Sequence, residues 1–477
     1  MRVSEYFKLG KTQPYLDFVD VRLNTDIQVF VDPTALRSLK STWGHACASL
    51  VQHYFEAVLA HIKKGNDIKA QSLLNSLSER NEFHLGYCSG RSKGHAFGKI
   101  SAKYVWGALS NSLASKTGLL QDLEDTCLLI KGIDKDMISD AVCNIIRGPL
   151  IKYTQDMCAY YGILLTPDIP SGPIWNPTSE AWESSLVSLP MTDEGKVILI
   201  PKILVRHNIN YQYQEYYRHF LLPIMQDAEL QANTSLVRLL KDGRKRVTKI
   251  DLLEKYGSDK LAVVNQTLKY PHALKKYKTE KEDQASYPLN HEQFSQIEEN
   301  DPPNWDDLIV ALSELSIGQE CADEYEKLIE KILSALFYPS LCNPTKQHKI
   351  HEGRKRIDIT YTNESKFGFF AWLSIHYPSA FIFVECKNYG KEIGNPEIDQ
   401  LSGRFSPSRG IVGILVCRSV NNPKLLEKRC IDTAKDQRGY ILVLSDTDII
   451  NLIKAEKKIF EAQTFPLLMN KFRKLVD

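Results

Sequence analysis

Ordered cysteine patterns are absent, although the sequence contains ten cysteines. They are scattered along the 477 residues, without a CxxC pair or a compact cluster of cysteine and histidine. Disulfide frameworks and zinc sites both need such spacing. The cysteine usage therefore argues against both and fits a reducing compartment, so we expect a cytoplasmic protein.

An excess of one charge sign is also absent. The 60 lysines and arginines are nearly balanced by 58 aspartates and glutamates, which leaves a net charge of +2. A strongly basic chain would point to nucleic acid as a partner of the whole surface. Here any surface that binds nucleic acid must be a local patch.

Long apolar runs are missing as well. No stretch reaches the roughly 18 uncharged apolar residues that cross a bilayer. The first 13 residues carry charges at Arg2, Glu5, Lys8 and Lys11, and they lack the apolar centre of a signal peptide. We expect no membrane segment.

The length and composition predict more than one folded domain, because 477 residues exceed the size of a single core and 43% of them are hydrophobic. Polar or proline-rich intervals at residues 167–177 and 282–304 suggest the boundaries. We predict a mixed α/β domain of unknown function at 1–170 and a mainly helical middle region with a basic segment and a linker at 171–304. A further α/β domain follows at 305–477.

The C-terminal third alternates predicted helices and strands. Amphipathic spacing predicts a helix over residues 322–337, and the apolar run at 366–375 predicts an inserted strand or arm. Four other apolar runs predict strands, at residues 356–361, 381–387, 411–417 and 440–444. Helices are predicted around residues 397–403 and 423–435. This alternation is typical of an α/β layer.

Charged residues close the strand predicted at 381–387. Glu385 and Lys387 are two positions apart and therefore share a face of the strand, whereas Cys386 faces the other way. Asp358 lies between two β-branched apolar residues, where an acid is costly to bury unless it is paired or binds a cation. We predict that Asp358 and Glu385 ligate a hard divalent metal ion. Lys387 would then hold or activate water for attack on a phosphodiester.

Asp358 followed by Glu385-Cys386-Lys387 resembles the D…ExK core of the PD-(D/E)XK nuclease superfamily, most closely its Mrr-like, restriction-endonuclease-like branch. In that superfamily a small mixed sheet is flanked by helices, the acids bind Mg²⁺ or Mn²⁺, and the lysine assists the attack of water. The resemblance covers about residues 315–455. It implies a C-terminal restriction-endonuclease-like mixed sheet flanked by helices, in a domain that hydrolyses DNA. We expect a larger mixed, mainly helical N-terminal region to precede it.

Two more site residues come from this resemblance. Glu326, on the predicted first helix, matches an acid that often completes the metal site, with Glu324 and Glu330 as alternatives. Gln400 matches a glutamine on the helix after the ExK strand and is predicted to be catalytic. Ile357 replaces the proline that gives the superfamily its name. The acids are 385 − 358 = 27 positions apart, which is more than a simple hairpin needs.

Two basic clusters are candidates for contact with DNA phosphates. The first adjoins the predicted site and consists of Arg354, Lys355 and Arg356. The second lies in the middle region and consists of Arg244, Lys245 and Arg246. A solvated charged loop is the alternative interpretation of the second cluster.

Other interpretations stay open at this point. The C-terminal fold could serve as a catalytically silent module for nucleic-acid binding or assembly. The N-terminal region could sense a ligand and control the nuclease, although its glycine-rich stretch at residues 86–99 lacks the P-loop spacing. By analogy alone, such nucleases suggest bacterial anti-phage defence or restriction. A partner protein from a defence system and a homo-oligomer are both compatible with that role.

Overall fold

The computed structural model describes residues 1–77, 80–86, 99–208, 211–284, 287–346, 358–388, 390–456 and 463–477. The described chain is a mixed α/β structure in which helices predominate. The predicted basic cluster of Arg354, Lys355 and Arg356 lies outside the described residues, as does most of the glycine-rich stretch at 86–99. In the described ranges, no helix combines the length and apolarity that a membrane crossing requires.

Helices dominate the first 320 residues. The α-helices are Val3–Tyr6, Pro33–Arg37, Thr42–Lys63, Asp67–Leu74, Lys99–Asn111, Leu113–Thr117, Asp125–Leu129, Lys135–Ile145, Arg147–Tyr161, Tyr213–Glu215, Leu222–Gln231, Lys249–Tyr256, Lys260–Lys269, Pro271–Gln284, His291–Glu298 and Trp305–Glu314. Four short 3₁₀ turns and a π-helical turn accompany them, at Gln13–Tyr15, Asn75–Leu77, Lys202–Leu204, Gln319–Cys321 and Tyr216–Leu221.

Strands in this part are short and pair only two by two in antiparallel fashion. The pairs are Phe30–Val31 with Val205–Arg206, Thr166–Pro170 with Leu186–Leu189, Ile174–Asn176 with Ala181–Glu183, Met191–Thr192 with Gly195–Lys196, and Arg238–Leu239 with Lys245–Arg246. The expectation of a mixed, mainly helical N-terminal region is confirmed.

The C-terminal part is built around one larger sheet. Its elements are α1 (Ala322–Leu336), β1 (Leu341–Lys346), β2 (Ile359–Asn363), α2 (Gly368–His376), β3 (Phe381–Lys387), α3 (Asn395–Ser402), β4 (Val412–Cys417), α4 (Pro423–Lys435), β5 (Tyr440–Ser445), α5 (Asp446–Glu456) and α6 (Pro466–Val476). The five strands lie side by side in chain order, β1 to β5. Strand β2 is antiparallel to both β1 and β3, whereas β4 is parallel to both β3 and β5, so the sheet is mixed.

Local sequence explains several of these elements. Along α1, Tyr325, Ile329 and Leu333 recur every four residues and are all buried, so one face of the helix packs on the sheet. Helix α4 begins at Pro423, whose fixed φ suits the first helical position, and the Asn422 side chain accepts a hydrogen bond from the backbone N–H of Leu425.

One sequence expectation is wrong. The apolar run at 366–375 was expected to form an inserted strand or arm, but it contains most of helix α2 instead. Phe369, Phe370 and Leu373 recur at helical spacing and are buried in the core beside the sheet. The 26 residues between the two acids therefore include strand β2, helix α2 and most of β3, which runs antiparallel to β2.

Two apolar cores organise the described chain. The first is drawn from residues 3–294, with Tyr338 and Cys342, and it includes side chains on both sides of the predicted boundary at 170. The second is drawn from residues 305–475, with Tyr15 from the N-terminal region. Each core thus takes side chains from the segment that mainly builds the other.

Polar contacts also join the two parts. The Lys11 ammonium forms an ion pair with Glu330 on α1, and the Asp17 carboxylate accepts a hydrogen bond of 2.8 Å from the Asn343 backbone N–H. In addition, the Tyr338 hydroxyl donates to the Leu289 carbonyl at 2.9 Å. The two parts are therefore packed against each other rather than joined only by a linker.

Candidate active site

Glu385 and Lys387 lie at the C-terminal end of β3, as the sequence predicts. Strand β3 is paired on both sides, antiparallel to β2 and parallel to β4, so its backbone is held in the middle of the sheet. The Lys387 ammonium donates to Glu385 Oε1 at 2.8 Å, which confirms that both side chains project from the same face. Glu385 is only 1% exposed, whereas Lys387 is half-buried.

Asp358 lies immediately before β2, next to the same strand end. In the antiparallel register Ile359 pairs with Val384, and so the preceding residue, Asp358, reaches the level of Glu385. The Asp358 carboxylate accepts a 2.8 Å hydrogen bond from the Cys386 backbone N–H. The structure thus brings the two predicted acids together despite their separation in sequence.

Gln400 reaches the pair from α3. Its side-chain amide N–H donates to Glu385 Oε1 at 2.9 Å, and its Oε1 accepts from the Lys387 ammonium at 3.4 Å. The glutamine therefore touches both charged residues of the ExK motif and can hold their side chains in one arrangement.

Arg404 is a site residue that sequence reasoning missed. It follows the end of α3, and its guanidinium donates to Glu385 Oε2, so each Glu385 oxygen has a cationic partner. Arg404 is 4% exposed, and a buried arginine requires such a partner. No local sequence signal marks it, because its contact with Glu385 depends on the tertiary packing of the end of α3 against β3.

Glu326 faces the site from α1. Burial raises its pKa to about 7, and the negative charges of Asp358 and Glu385 act in the same direction, while Lys346 opposes them. The alternatives differ from it: Glu324 is exposed, and Glu330 is buried in ion pairs with Lys11 and Lys346. Of these three acids, Glu326 is therefore the one whose charge is coupled to Asp358.

Several negatively charged side chains lie close together in the site. Burial raises the pKa of Asp358 above its usual value, and the Glu385 carboxylate raises it further, although Lys387, Arg404 and the hydrogen bond from the Cys386 N–H act against this. Like charges in a poorly solvated site oppose each other's ionisation. A cation bound between the carboxylates would relieve that repulsion.

The donor chemistry of these carboxylates fits a hard divalent ion such as Mg²⁺ or Mn²⁺, which binds oxygen ligands. Among the described residues, however, no group of three or more His, Cys, Asp and Glu side chains has the spacing to hold a metal. Asp358 and Glu385 are thus the two candidate protein ligands in this arrangement, and Glu326 is coupled to them through its charge.

The second basic cluster is exposed on a hairpin of the middle region. Arg244 pairs with Asp242 at 2.7 Å, and the Lys245 ammonium donates to Asn233 Oδ1 at the same distance. Arg246 belongs to the short strand Lys245–Arg246 and is also exposed. These side chains are accessible to a polyanion, and their role in DNA binding stays a prediction.

Comparisons with known proteins concern the other end of the chain. No curated protein and no solved structure matches the sequence. Residues 8–212 match the family model of a domain of unknown function, DUF8370. That match stops well before the candidate active site, and so this chain joins a DUF8370-like N-terminal segment to a C-terminal α/β sheet that carries clustered carboxylates.

Proposed function

We propose that this protein is a metal-dependent nuclease of the PD-(D/E)XK type, Mrr-like and restriction-endonuclease-like in its C-terminal fold, that hydrolyses DNA phosphodiester bonds. One observation supports the proposal most: Asp358, Glu385, Lys387 and Gln400 converge at one end of the central strand. The mixed five-stranded sheet with flanking helices is the kind of core that the superfamily uses.

Each residue has a distinct task in the proposed reaction. Asp358 and Glu385 would bind Mg²⁺ or Mn²⁺, which supplies Lewis-acid stabilisation of the scissile phosphate when it is bound. The Lys387 ammonium orients the attacking water and offsets negative charge in the transition state. Gln400 holds the Lys387 and Glu385 side chains together, and Arg404 holds the Glu385 carboxylate in place.

Plasmid cleavage tests this proposal. The purified chain is incubated with supercoiled plasmid and with linear duplex, in Mg²⁺, in Mn²⁺ or in EDTA. We expect metal-dependent cleavage, with losses of at least about 100-fold in Glu385→Gln and Lys387→Ala, because both changes remove charge that the transition state needs. Lys424→Ala, which removes an exposed lysine on α4, is the matched control and should cleave normally.

The remaining outcomes discriminate between functions. DNA binding without cleavage under all conditions would favour the silent binding module over the nuclease. Cleavage that persists in both site variants would place the activity elsewhere.

A cellular role in anti-phage defence or restriction rests on analogy and has its own test. We expect cells that carry the intact gene to resist infection and cells with Lys387→Ala to lose that protection. Equal plating efficiency of phage on the two strains would contradict the role.

A further inference from the structure

A cavity of about 350 Å³ lies where the two parts of the molecule meet. Its walls come from three segments: Ser38 and Arg206 from the N-terminal region, residues 287–293 from the connecting segment, and Lys366 with Gln463 from the C-terminal part. A cavity of this size falls in the usual range for small-molecule sites, which often form between domains.

Positive charge is concentrated at this cavity. Arg206 and Lys366 line it, and Lys40 lies close enough to act on Lys366. Burial, together with repulsion by Arg206 and Lys40, lowers the pKa of Lys366 to about 8 against the attraction of Glu364. Cations that lie near each other in a partly buried site repel one another, and a bound anion would reduce that repulsion.

Protein groups offset part of this positive charge: Asp32 attracts the Arg206 charge, and the Arg206 guanidinium donates to the carbonyls of Ile203 and Val205. Glu364 is the one acidic side chain among the described lining residues, and its Oε2 accepts hydrogen bonds from the backbone N–H groups of Lys40 at 2.7 Å and Ser41 at 3.3 Å. Lys366 forms no ion pair with any residue that the structure describes. Its ammonium is therefore available to an anionic ligand.

The same cavity offers flat apolar surfaces. Tyr287 and Phe367 stack face to face, with ring centres 4.8 Å apart and planes inclined by 5°. Both line the cavity and both are exposed, at 58% and 40%, which is unusual for a stacked aromatic pair that serves only the core. Such rings are platforms for a planar heterocycle.

An unsatisfied acceptor completes the set. Gln463 lines the cavity and donates its side-chain N–H to the Tyr338 carbonyl at 2.7 Å. Its buried Oε1, by contrast, has no hydrogen-bond partner among the described residues. Buried polar atoms are nearly always paired, so this oxygen marks a place for a ligand N–H group.

We propose that this cavity binds a free nucleotide, with its phosphates at Lys366 and Arg206 and its base against Tyr287 and Phe367. The ligand would touch both parts of the molecule at once. Residues 364–367 directly follow β2, and Asp358 directly precedes it, so the cavity and the candidate active site lie at opposite ends of one strand.

Binding is measured on the full chain in EDTA, where nuclease action plays no part. The probes are ATP, GTP, pyrophosphate and adenosine, followed by calorimetry and by thermal melting. We expect saturable binding of ATP or GTP, and weaker binding of pyrophosphate and adenosine. Lys366→Gln should weaken the nucleotide at least about tenfold, since a charge-assisted contact is lost.

Two further variants locate the base and control for charge. Tyr287→Ala should weaken ATP or GTP while pyrophosphate binding stays unchanged, because only the base needs the ring. Lys424→Gln, outside the cavity, should bind as the parent does. The proposal is overturned if no nucleotide binds, if Lys366→Gln binds normally, or if pyrophosphate binds as tightly as ATP and Tyr287→Ala has no effect.

Discussion

At the scale of single residues, Glu385 and Arg404 form an ion pair that is almost completely buried, with exposures of 1% and 4%. Removing one partner of such a pair leaves a charge without compensation. We predict that Arg404→Met lowers the free energy of unfolding by about 3 kcal/mol. Chemical denaturation monitored by fluorescence measures it.

The double variant Glu385→Gln, Arg404→Met is the control for this prediction. Because neither charge is then left alone, its loss of stability should be smaller than the sum of the two single losses. Strict additivity would show that the two side chains do not depend on each other.

His291 provides a prediction on pH. Burial lowers the pKa of this imidazole to about 3, with a contribution from the nearby Lys202 charge, while Nε2 lies 2.9 Å from the Ala335 carbonyl. Between pH 6.5 and about pH 3, His291 is therefore protonated in the unfolded chain but neutral in the folded chain. The free energy of unfolding falls as the pH decreases through this range. Between pH 7 and about pH 5.5 the loss from this group is about 1 kcal/mol.

The variant His291→Gln keeps a donor for the Ala335 carbonyl but cannot titrate. We expect its free energy of unfolding to vary less with pH over the same interval. His45→Gln, a change at an exposed histidine, should leave the parent profile as it is. Identical profiles for parent and His291→Gln would contradict the assignment.

Sequence reasoning named most residues that converge at the candidate site but not all of their partners. Strand alternation placed Glu385 and Lys387 on one face, and the resemblance pointed to Gln400. Arg404 escaped because its significance depends on how α3 packs over β3, which is a tertiary contact. The coupling of Glu326 to Asp358 and Glu385 likewise depends on the tertiary packing of α1.

At the scale of elements, the loop before β5 depends on a glycine. Gly439 has φ +102°, and a Cβ there would overlap the Phe405 ring and lie 2.7 Å from the Ile411 carbonyl oxygen. We predict that Gly439→Ala destabilises the protein by about 1–3 kcal/mol from the backbone conformation alone, with the steric overlap in addition. Thermal melting measures it.

A second glycine serves as the matched control. Gly107 lies inside the helix Lys99–Asn111, and a Cβ there would have no heavy atom within 4 Å. Gly107→Ala should therefore stabilise the protein by about 0.5–1 kcal/mol. A destabilising Gly107→Ala, or a neutral Gly439→Ala, would contradict this account of the two sites.

Elements with a clear hydrophobic period could be predicted, and those without one could not. The predicted strand 381–387 and helix 423–435 have the bounds of β3 and α4. Strand β1 was missed because Pro344 and a bulge at Cys342 and Thr345 interrupt it. The run 366–375 is apolar almost throughout, so periodicity alone could not distinguish a strand from a helix.

At the scale of the whole molecule, the C-terminal part depends on the N-terminal region. Its core includes Tyr15, and buried Glu330 pairs with Lys11. We predict that a fragment of residues 305–477 melts at a lower temperature than the intact chain, because the fragment lacks Tyr15 and Lys11. Circular dichroism and limited proteolysis of the two samples measure this, and equal melting temperatures would contradict it.

These contacts are also the part of the fold that sequence reasoning could not supply. The proline-rich interval near residue 170 suggested a boundary, yet the first core takes side chains from both sides of it. Composition shows which segments are polar but not which distant segments pack together. The hydrogen bond from the Asn343 backbone N–H to Asp17 depends on such packing, and so the sequence alone could not predict it.

The strand that carries Glu385 and Lys387 also contains a chemical reporter. Burial raises the pKa of the intervening Cys386 thiol well above its ordinary value, and so it is nearly inert while β3 is paired. Cys386 has an intermediate exposure, as does Cys321, so in a chain with Cys88 and Cys321 replaced by serine its modification should be slow in the folded state and faster when the strand opens. The rate of alkylation at this position, measured by peptide mass spectrometry, therefore reports on the opening of strand β3 beside the candidate active site.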